Sequence, residues 1–253
     1  MNMFPNTILA KNQQGKKALS LGLAFPDTHL VEYAARAGFD AVNLDGEHGA
    51  FNPTDVDRIV HVAHAHGLSV TARVPHIRAD EINRWLDRGV QGIMAPHIET
   101  ADQTRALVDA CYFAPLGQRS WGGGRGTEFN DEAALASYGG RPGFRQFADD
   151  NMLVFAQIES QLGYDNLDAI LAIKGLDAIA FGPNDLAASL GFPGAPADHP
   201  EVVRVHADIE ARTRAAGKRI SLDYAAQANM SDLLIDATRA FAATHADEPF
   251  PPA

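Results

Sequence analysis

The chain has 253 residues, 46% of them hydrophobic and 21% charged, and 32 acidic against 21 basic side chains leave a formal charge of −11. That length buries one large core or two small ones, and a negative balance without basic runs excludes a binder of phosphate backbones or anionic lipid. A single cysteine, Cys111, forms no internal disulfide, and no apolar run approaches the ~20 residues of a membrane span. The N-terminal MNMFPNTILAKNQQGKK has no apolar core of a secretory signal, so a cytoplasmic globular protein is expected.

Short apolar segments alternate with amphipathic ones. Segments 19–25, 41–45, 69–74, 92–96, 153–158, 178–181 and 219–222 are rich in Val, Ile, Leu and Ala, as strands buried on both faces should be. Helical periodicity occupies 28–37, 53–66, 79–88 and 101–110, with Asp27 or Thr28, Asn52 and Thr100 as N-caps and Gly38, Gly67 and Gly89 as stops. Segment 115–143, carrying GQRSWGGGRG and GGRPG, is too long and glycine-rich for a simple connection and is predicted to be an active-site loop. Residues 233–253 are a C-terminal amphipathic helix and proline-rich tail, and no boundary divides 1–253. Alternating strands and helices imply a parallel sheet. Polar residues gather behind many strands rather than at one switch point, and no G-x-G-x-x-G follows the first strand. Both favour an α/β fold of the TIM-like (β/α)8 barrel type over a doubly wound sheet.

In such a barrel the chemistry sits where strands end. Those positions hold Asp45, Glu47 and His48, then Arg73, His97, Gln157, Glu159, Asn184 and Asp185. Lysine is absent from the set: Lys174 and Lys218 fall just before strands, at the opposite face, which disfavours an imine mechanism. A divalent metal is the other common stabiliser of an enolate. Glu159 and Asp185 lie one strand–helix–strand unit apart, so neighbouring strands would present two carboxylates suited to an octahedral hard cation. Each acid is equally readable as a solvated loop residue. Arg73 ends an apolar strand and needs an anion there, either a substrate oxygen or Asp45 or Glu47 in a structural ion pair. His48 has the residue type for proton transfer near neutral pH. His61 and His64 share a helix face with no third ligand in view.

The segments LDGEHGAFN, ARVP, GIMAPHIETADQ, APLGQRS, QIES and FGPNDLAASLG occur in that order between about 21 and 194. Together they resemble the metal-dependent (class II) pyruvate aldolases of the 4-hydroxy-2-oxoheptanedioate aldolase and citrate lyase β family. The resemblance implies a (β/α)8 barrel of the phosphoenolpyruvate/pyruvate type. It also implies Mg²⁺, Mn²⁺ or Co²⁺ held by Glu159 and Asp185, and an enolate stabilised by Arg73. His48 would then be the acid/base, Asp87 would raise its basicity, and Gln157, Asn184, Asp185 and His97 would contact substrate. PHIET and QRS are closer to the forms in macrophomate synthase, which decarboxylates oxaloacetate to an enolate. Beyond Lys218 the family pattern is compressed, as if about one helix–strand unit were absent before Ser231-Asp232-Leu233-Leu234.

The expected function is a carbon–carbon lyase that cleaves or forms 4-hydroxy-2-oxo acids through a pyruvate enolate and an aldehyde. The expected assembly is a homo-oligomer based on dimers, up to a hexamer, exchanging the C-terminal helix. The expected partners are a small 2-oxo acid and an aldehyde, with neither nucleic acid nor membrane. Open alternatives are an oxaloacetate decarboxylase or CoA-thioester lyase on the same enolate, and a non-catalytic barrel with a degraded C-terminus.

Overall fold

The computed structural model describes residues 2–195 and 198–248. Its strands are β1 (Ala18–Leu23), β2 (Ala41–Asp45), β3 (Ser69–Arg73), β4 (Gly92–Ala95), β5 (Leu153–Ile158), β6 (Ala178–Phe181), β7 (Arg219–Ile220) and β8 (Ala225–Asn229). Helix α1 (Thr7–Gln13) precedes β1, and α2 (Thr28–Arg36), α3 (Pro53–Ala65), α4 (Ala79–Leu86) and α5 (Ala101–Cys111) follow the first four strands in turn. Short α6 (Glu132–Ala136) and α7 (Gly140–Asp150) lead into β5, which is followed by α8 (Gln161–Asp165) and α9 (Leu167–Leu171). After β6 come α10 (Pro183–Ser189) and α11 (Pro200–Ala215), the single turn α12 (Ser221–Tyr224) joins β7 to β8, and α13 (Met230–His245) is last.

All neighbouring strands run parallel in the order β7-β6-β5-β4-β3-β2-β1-β8. The sheet curls into a TIM-like barrel, as the alternation of elements implies. The helix signals work as expected: Asp27, Asn52 and Thr100 accept N-cap hydrogen bonds, Asn52 and Thr100 complete capping boxes, and Gly38, Gly67 and Gly89 take φ of 82°, 71° and 98°. His64 is buried, its ring edge-on against Phe4 with centroids 4.9 Å apart.

The eighth strand is present. Strand β7 stops after two residues, level with Ala178 and Ile179, so the chain has not climbed the barrel when α12 carries it sideways. Parallel neighbours ordinarily need a crossover of a dozen residues or more. Four suffice here because β7 is left after two residues, still near the end of the barrel at which β8 is entered, and the two strands form no ladder with each other. The missing unit is therefore the upper part of β7 and the helix behind it. Among the described residues, Ala180–Phe181 and Gln227–Asn229 have no partner strand across this gap.

The barrel floor is sealed from below by α1. Ile8 packs with Ala18, Ala41, Leu153, Phe155 and Ala178 in an apolar layer inside the strands. The larger core lies between the outer strand faces and the helices. Asn6 locks the plug: its Oδ1 accepts from the Ile8 and Leu9 N–H groups, and its Nδ2 donates to the Gln91 and Asn151 carbonyls, both at 3.1 Å.

Segment 115–143 lies between α5 and β5, so connectivity alone assigns it to the N-terminal end of the barrel, away from the strand ends. Within one chain it packs there: Gly122 and Gly124 rest against Asp87, and Phe113, Trp121, Phe144 and Tyr138 form an aromatic cluster.

Asn6→Ala removes a cap and the hydrogen bonds to two carbonyls, of which that of Gln91 keeps the Leu153 N–H and that of Asn151 loses its side-chain donor. The expected loss is about 2–3 kcal/mol, read as a melting temperature lower by roughly 5–10 °C. An unchanged melting temperature would remove α1 from the stability of the barrel.

Candidate active site

The C-terminal ends of β2, β3, β4, β5 and β6 bring charged side chains to one mouth. Asp45 ends β2 and Arg73 ends β3, paired in register. The guanidinium meets the carboxylate as a fork, Nε to Oδ1 at 3.0 Å and Nη2 to Oδ2 at 2.7 Å. Asp45 Oδ1 also accepts from the Glu47 and His48 N–H groups, each at 3.2 Å. Burial opposes its ionisation, but Arg73 and these two N–H groups outweigh it and hold the Asp45 pKa below its usual value. Burial likewise works against the Arg73 charge, and Asp45, Glu47 and Glu159 overcome it, so its pKa is raised. The tight turn is possible because residue 46 is glycine: a Cβ there would lie 2.6 Å from the Trp85 ring and 2.8 Å from the Arg73 carbonyl.

Glu47 is the member that sequence reasoning undervalued, placing it only as an ion-pair partner for Arg73. It is a hub. Its Oε2 lies 3.0 Å from Arg73 Nη1, off the line of the N–H bonds and hence with no directed donor, and its Oε1 lies 3.0 Å from His97 Nε2. The other ring nitrogen, His97 Nδ1, is 3.1 Å from Glu159 Oε1. The His97 N–H also donates to that oxygen at 2.6 Å, and the residue adopts a left-handed φ of 52° to do so. The signal that could have found Glu47 is its place in D-G-E-H, two residues beyond Asp45 on a turn that aims both acids the same way.

Glu159 is only 2% exposed. Its second oxygen accepts from Gln157 Nε2 at 2.5 Å. Burial raises its pKa; the His97 N–H, the His97 ring and Gln157 pull it down, Glu47 pushes it up, and the net shift is upward. Register pairs Ile158 with Phe181, so Gly182 abuts Glu159, where a Cβ would come within 2.1 Å of Oε2. Pro183 then starts α10, and Asn184 and Asp185 lie exposed on its first turn. His48 is 66% exposed, with Nε2 3.8 Å from Glu47 Oε2.

Asp87 is not at this mouth. It caps the C-terminal end of α4, at the opposite end of its own barrel from His48. Burial raises its pKa against the pull of Arg119 and Arg88, and its Oδ1 is buried without a donor. Lysine is absent from the mouth, as expected: Lys218 donates to the Ile173 and Leu176 carbonyls below β7.

A cavity of about 670 Å³ opens above Arg73 and Gln157 and runs to the gap beside the short β7. Sequence reasoning missed its β8 wall, Gln227 and Asn229, whose alternation with small residues was the available signal. Among the described residues no group of three or more His, Cys, Asp or Glu side chains is assembled to hold a metal, and no helix is long and apolar enough to cross a membrane.

Comparison with known proteins agrees with this architecture. The HpcH/HpaI aldolase/citrate lyase family matches residues 23–247. A 4-hydroxy-2-oxovalerate aldolase of Rhodococcus jostii (strain RHA1) is 37% identical over 81% of this chain and 76% of the relative. The crystal structure of an HpcH/HpaI aldolase from Desulfitobacterium hafniense DCB-2 superposes with a TM-score of 0.83 at 27% identity, covering 99% of this chain and all of the other. Macrophomate synthase superposes with a TM-score of 0.80 at 25% identity, over 97% and 92% of the two chains. With a family match over nearly the whole barrel and the mouth its motifs build, the chain belongs to the HpcH/HpaI aldolase/citrate lyase family and is a carbon–carbon lyase.

Proposed function

We propose that this lyase cleaves and forms 4-hydroxy-2-oxo acids through a pyruvate enolate, with a divalent cation held by Glu159 and Asp185. The observation that carries the reading is the contact of Glu159 with Gly182. It brings the end of β5 against the head of α10, so the two acids come from adjacent strand ends. Two carboxylates, with room left for water and substrate oxygens, are a donor set that suits Mg²⁺, Mn²⁺ or Co²⁺. The buried Glu159 and its neighbour Glu47 both face the His97 ring, so negative charge already collects where a cation is wanted. When bound, such an ion supplies Lewis-acid polarisation of the keto group.

The protein's own groups do the rest. In the cleavage direction His48, solvent-accessible at the mouth, takes the proton of the C4 hydroxyl as the C3–C4 bond breaks and the aldehyde leaves. The C3–C4 pair becomes the C2=C3 bond as the carbonyl π pair moves to the C2 oxygen, and Arg73, its guanidinium held in place by Asp45, shares the resulting enolate charge. Gln157, His97 and Asn184 line the approach as substrate contacts. Asp87 stands at the opposite end of its own barrel from His48, so within one chain it does not touch that ring. Assembly into a homo-oligomer based on dimers is supported by α13, whose Leu233, Leu234, Ile235 and Phe241 are all exposed.

A Glu159→Ala/Asp185→Ala double variant should lose both Mn²⁺ binding by calorimetry and pyruvate C3 proton exchange in deuterated water, the latter by about 10²-fold or more. A chelator should reproduce the loss in the unaltered enzyme, while borohydride with pyruvate should leave activity intact. Normal exchange in the double variant would sink the metal assignment. His48→Ala should slow aldol cleavage by about 10²–10⁴-fold and leave oxaloacetate decarboxylation nearly unchanged, because that reaction makes the enolate without the base. Equal losses would reassign His48 to binding. Finally, sedimentation at micromolar concentration should show an oligomer that Leu234→Asp/Phe241→Asp dissociates; a monomeric unaltered protein would contradict the assembly.

A further inference from the structure

Resting on the aldolase reading, we infer that the gap left by the short β7 is the acceptor subsite, and that it selects a neutral, hydroxylated aldehyde over one carrying a carboxylate. The cavity above Arg73 has about 670 Å³, far more than pyruvate fills. It extends past Ala180 and Phe181 to Ser221, Gln227 and Asn229 because no upper β7 closes the wall. The mouth is thus open sideways as well as upward.

The far wall is polar in one particular way. Gln227 and Asn229 face the interior from β8, close to the backbone of Gly22, where a Cβ would meet Asn229 Oδ1 at 2.7 Å and Gln227 Nε2 at 3.1 Å. Their mutual contact is long, Nε2 to Oδ1 at 3.4 Å, and Asn229 Nδ2 donates to Asp232 at 3.2 Å. Gln227 Oε1 and one proton of each amide remain for a ligand. An amide presents a donor beside an acceptor, and a hydroxyl group presents the same pair, so vicinal hydroxyls match this wall where a methyl or methylene does not.

Charge points the same way. Among the described residues lining the cavity, Arg73 is the sole guanidinium or ammonium, and Asp45 and Glu47 already hold it. Asp45 and Asp232 line the same space. With the proposed divalent cation and Arg73 taken up by the 2-oxo acid's own oxygens, a second carboxylate on the acceptor would face Asp45 and Asp232 with only His206 as a further basic side chain in the lining, whereas a neutral polyol chain is not repelled.

The test is a comparison of acceptors with pyruvate and Mn²⁺ in the intact enzyme. Pyruvate C3 exchange is measured first without acceptor; its absence would overturn the enolate reading itself, independently of any acceptor preference. With exchange established, kcat/KM for glyceraldehyde should exceed that for propanal and that for succinic semialdehyde by about tenfold or more. In Gln227→Leu and in Asn229→Leu, the glyceraldehyde-to-propanal ratio should fall by about fivefold or more. Preference for succinic semialdehyde, or for propanal, in the unaltered enzyme would overturn the subsite assignment whether or not the variants fold. So would an unchanged ratio in both variants.

Discussion

One guanidinium set among several carboxylates governs the mouth of this barrel. Arg73 binds Asp45 as a fork and touches Glu47, while Glu47 and Glu159 share a histidine. Like charges about 4 Å apart repel by roughly 4 kcal/mol at the effective dielectric of a protein surface, so such a cluster holds only with compensation. Arg73 compensates on the β2–β3 side, and its charge is what the Asp45 turn, Gly46 and the Trp85 ring are arranged to support. On the β4–β6 side the balance falls to His97, whose ring lies between Glu47 and Glu159. The division leaves the β2–β3 side closely held by paired charges and the β4–β6 side with an excess of carboxylates.

The first six strands were legible because strands buried on both faces read as continuous apolar runs, and α2, α3 and α5 carried side-chain caps while Gly38, Gly67 and Gly89 supplied the expected stops. Strand β8 was harder: Ala225–Asn229 has no β-branched or aromatic residue, and without a covering helix its outer face, at Ala226, is exposed. Its pairing with β1 is a tertiary fact, invisible to local periodicity. Helix α1 was not anticipated, since Asn6 spends its amide on Gln91 and Asn151, residues far along the chain. The individual residues of the mouth were readable from strand ends and motif order, but the hub role of Glu47 depends on the turn geometry after β2.

Within one chain the glycine-rich segment 115–143 packs at the end of the barrel where strands begin. Those glycines serve close packing on Asp87: a Cβ at Gly122 would strike its carboxylate and one at Gly124 its carbonyl. Connectivity was the better guide, because a segment between α5 and β5 must start and finish at the end of the barrel where strands begin. The same logic separates Asp87, at the C-terminal end of α4, from His48 beyond the end of β2.

The pairing of β8 with β1 also has a kinetic side. Residue 18 meets residue 225 in that ladder, so one edge of β1 stays uncovered until some 200 further residues have been made. At ribosomal speeds of about 5–20 residues per second this is roughly 10–40 s, long compared with the microseconds in which local helices and turns form. During that interval the nascent chain carries an apolar parallel edge with Leu19, Leu21 and Leu23 on it, a template for pairing with another chain. Synthesis, rather than the chemistry at the mouth, is thus the stage at which this fold is most exposed to aggregation.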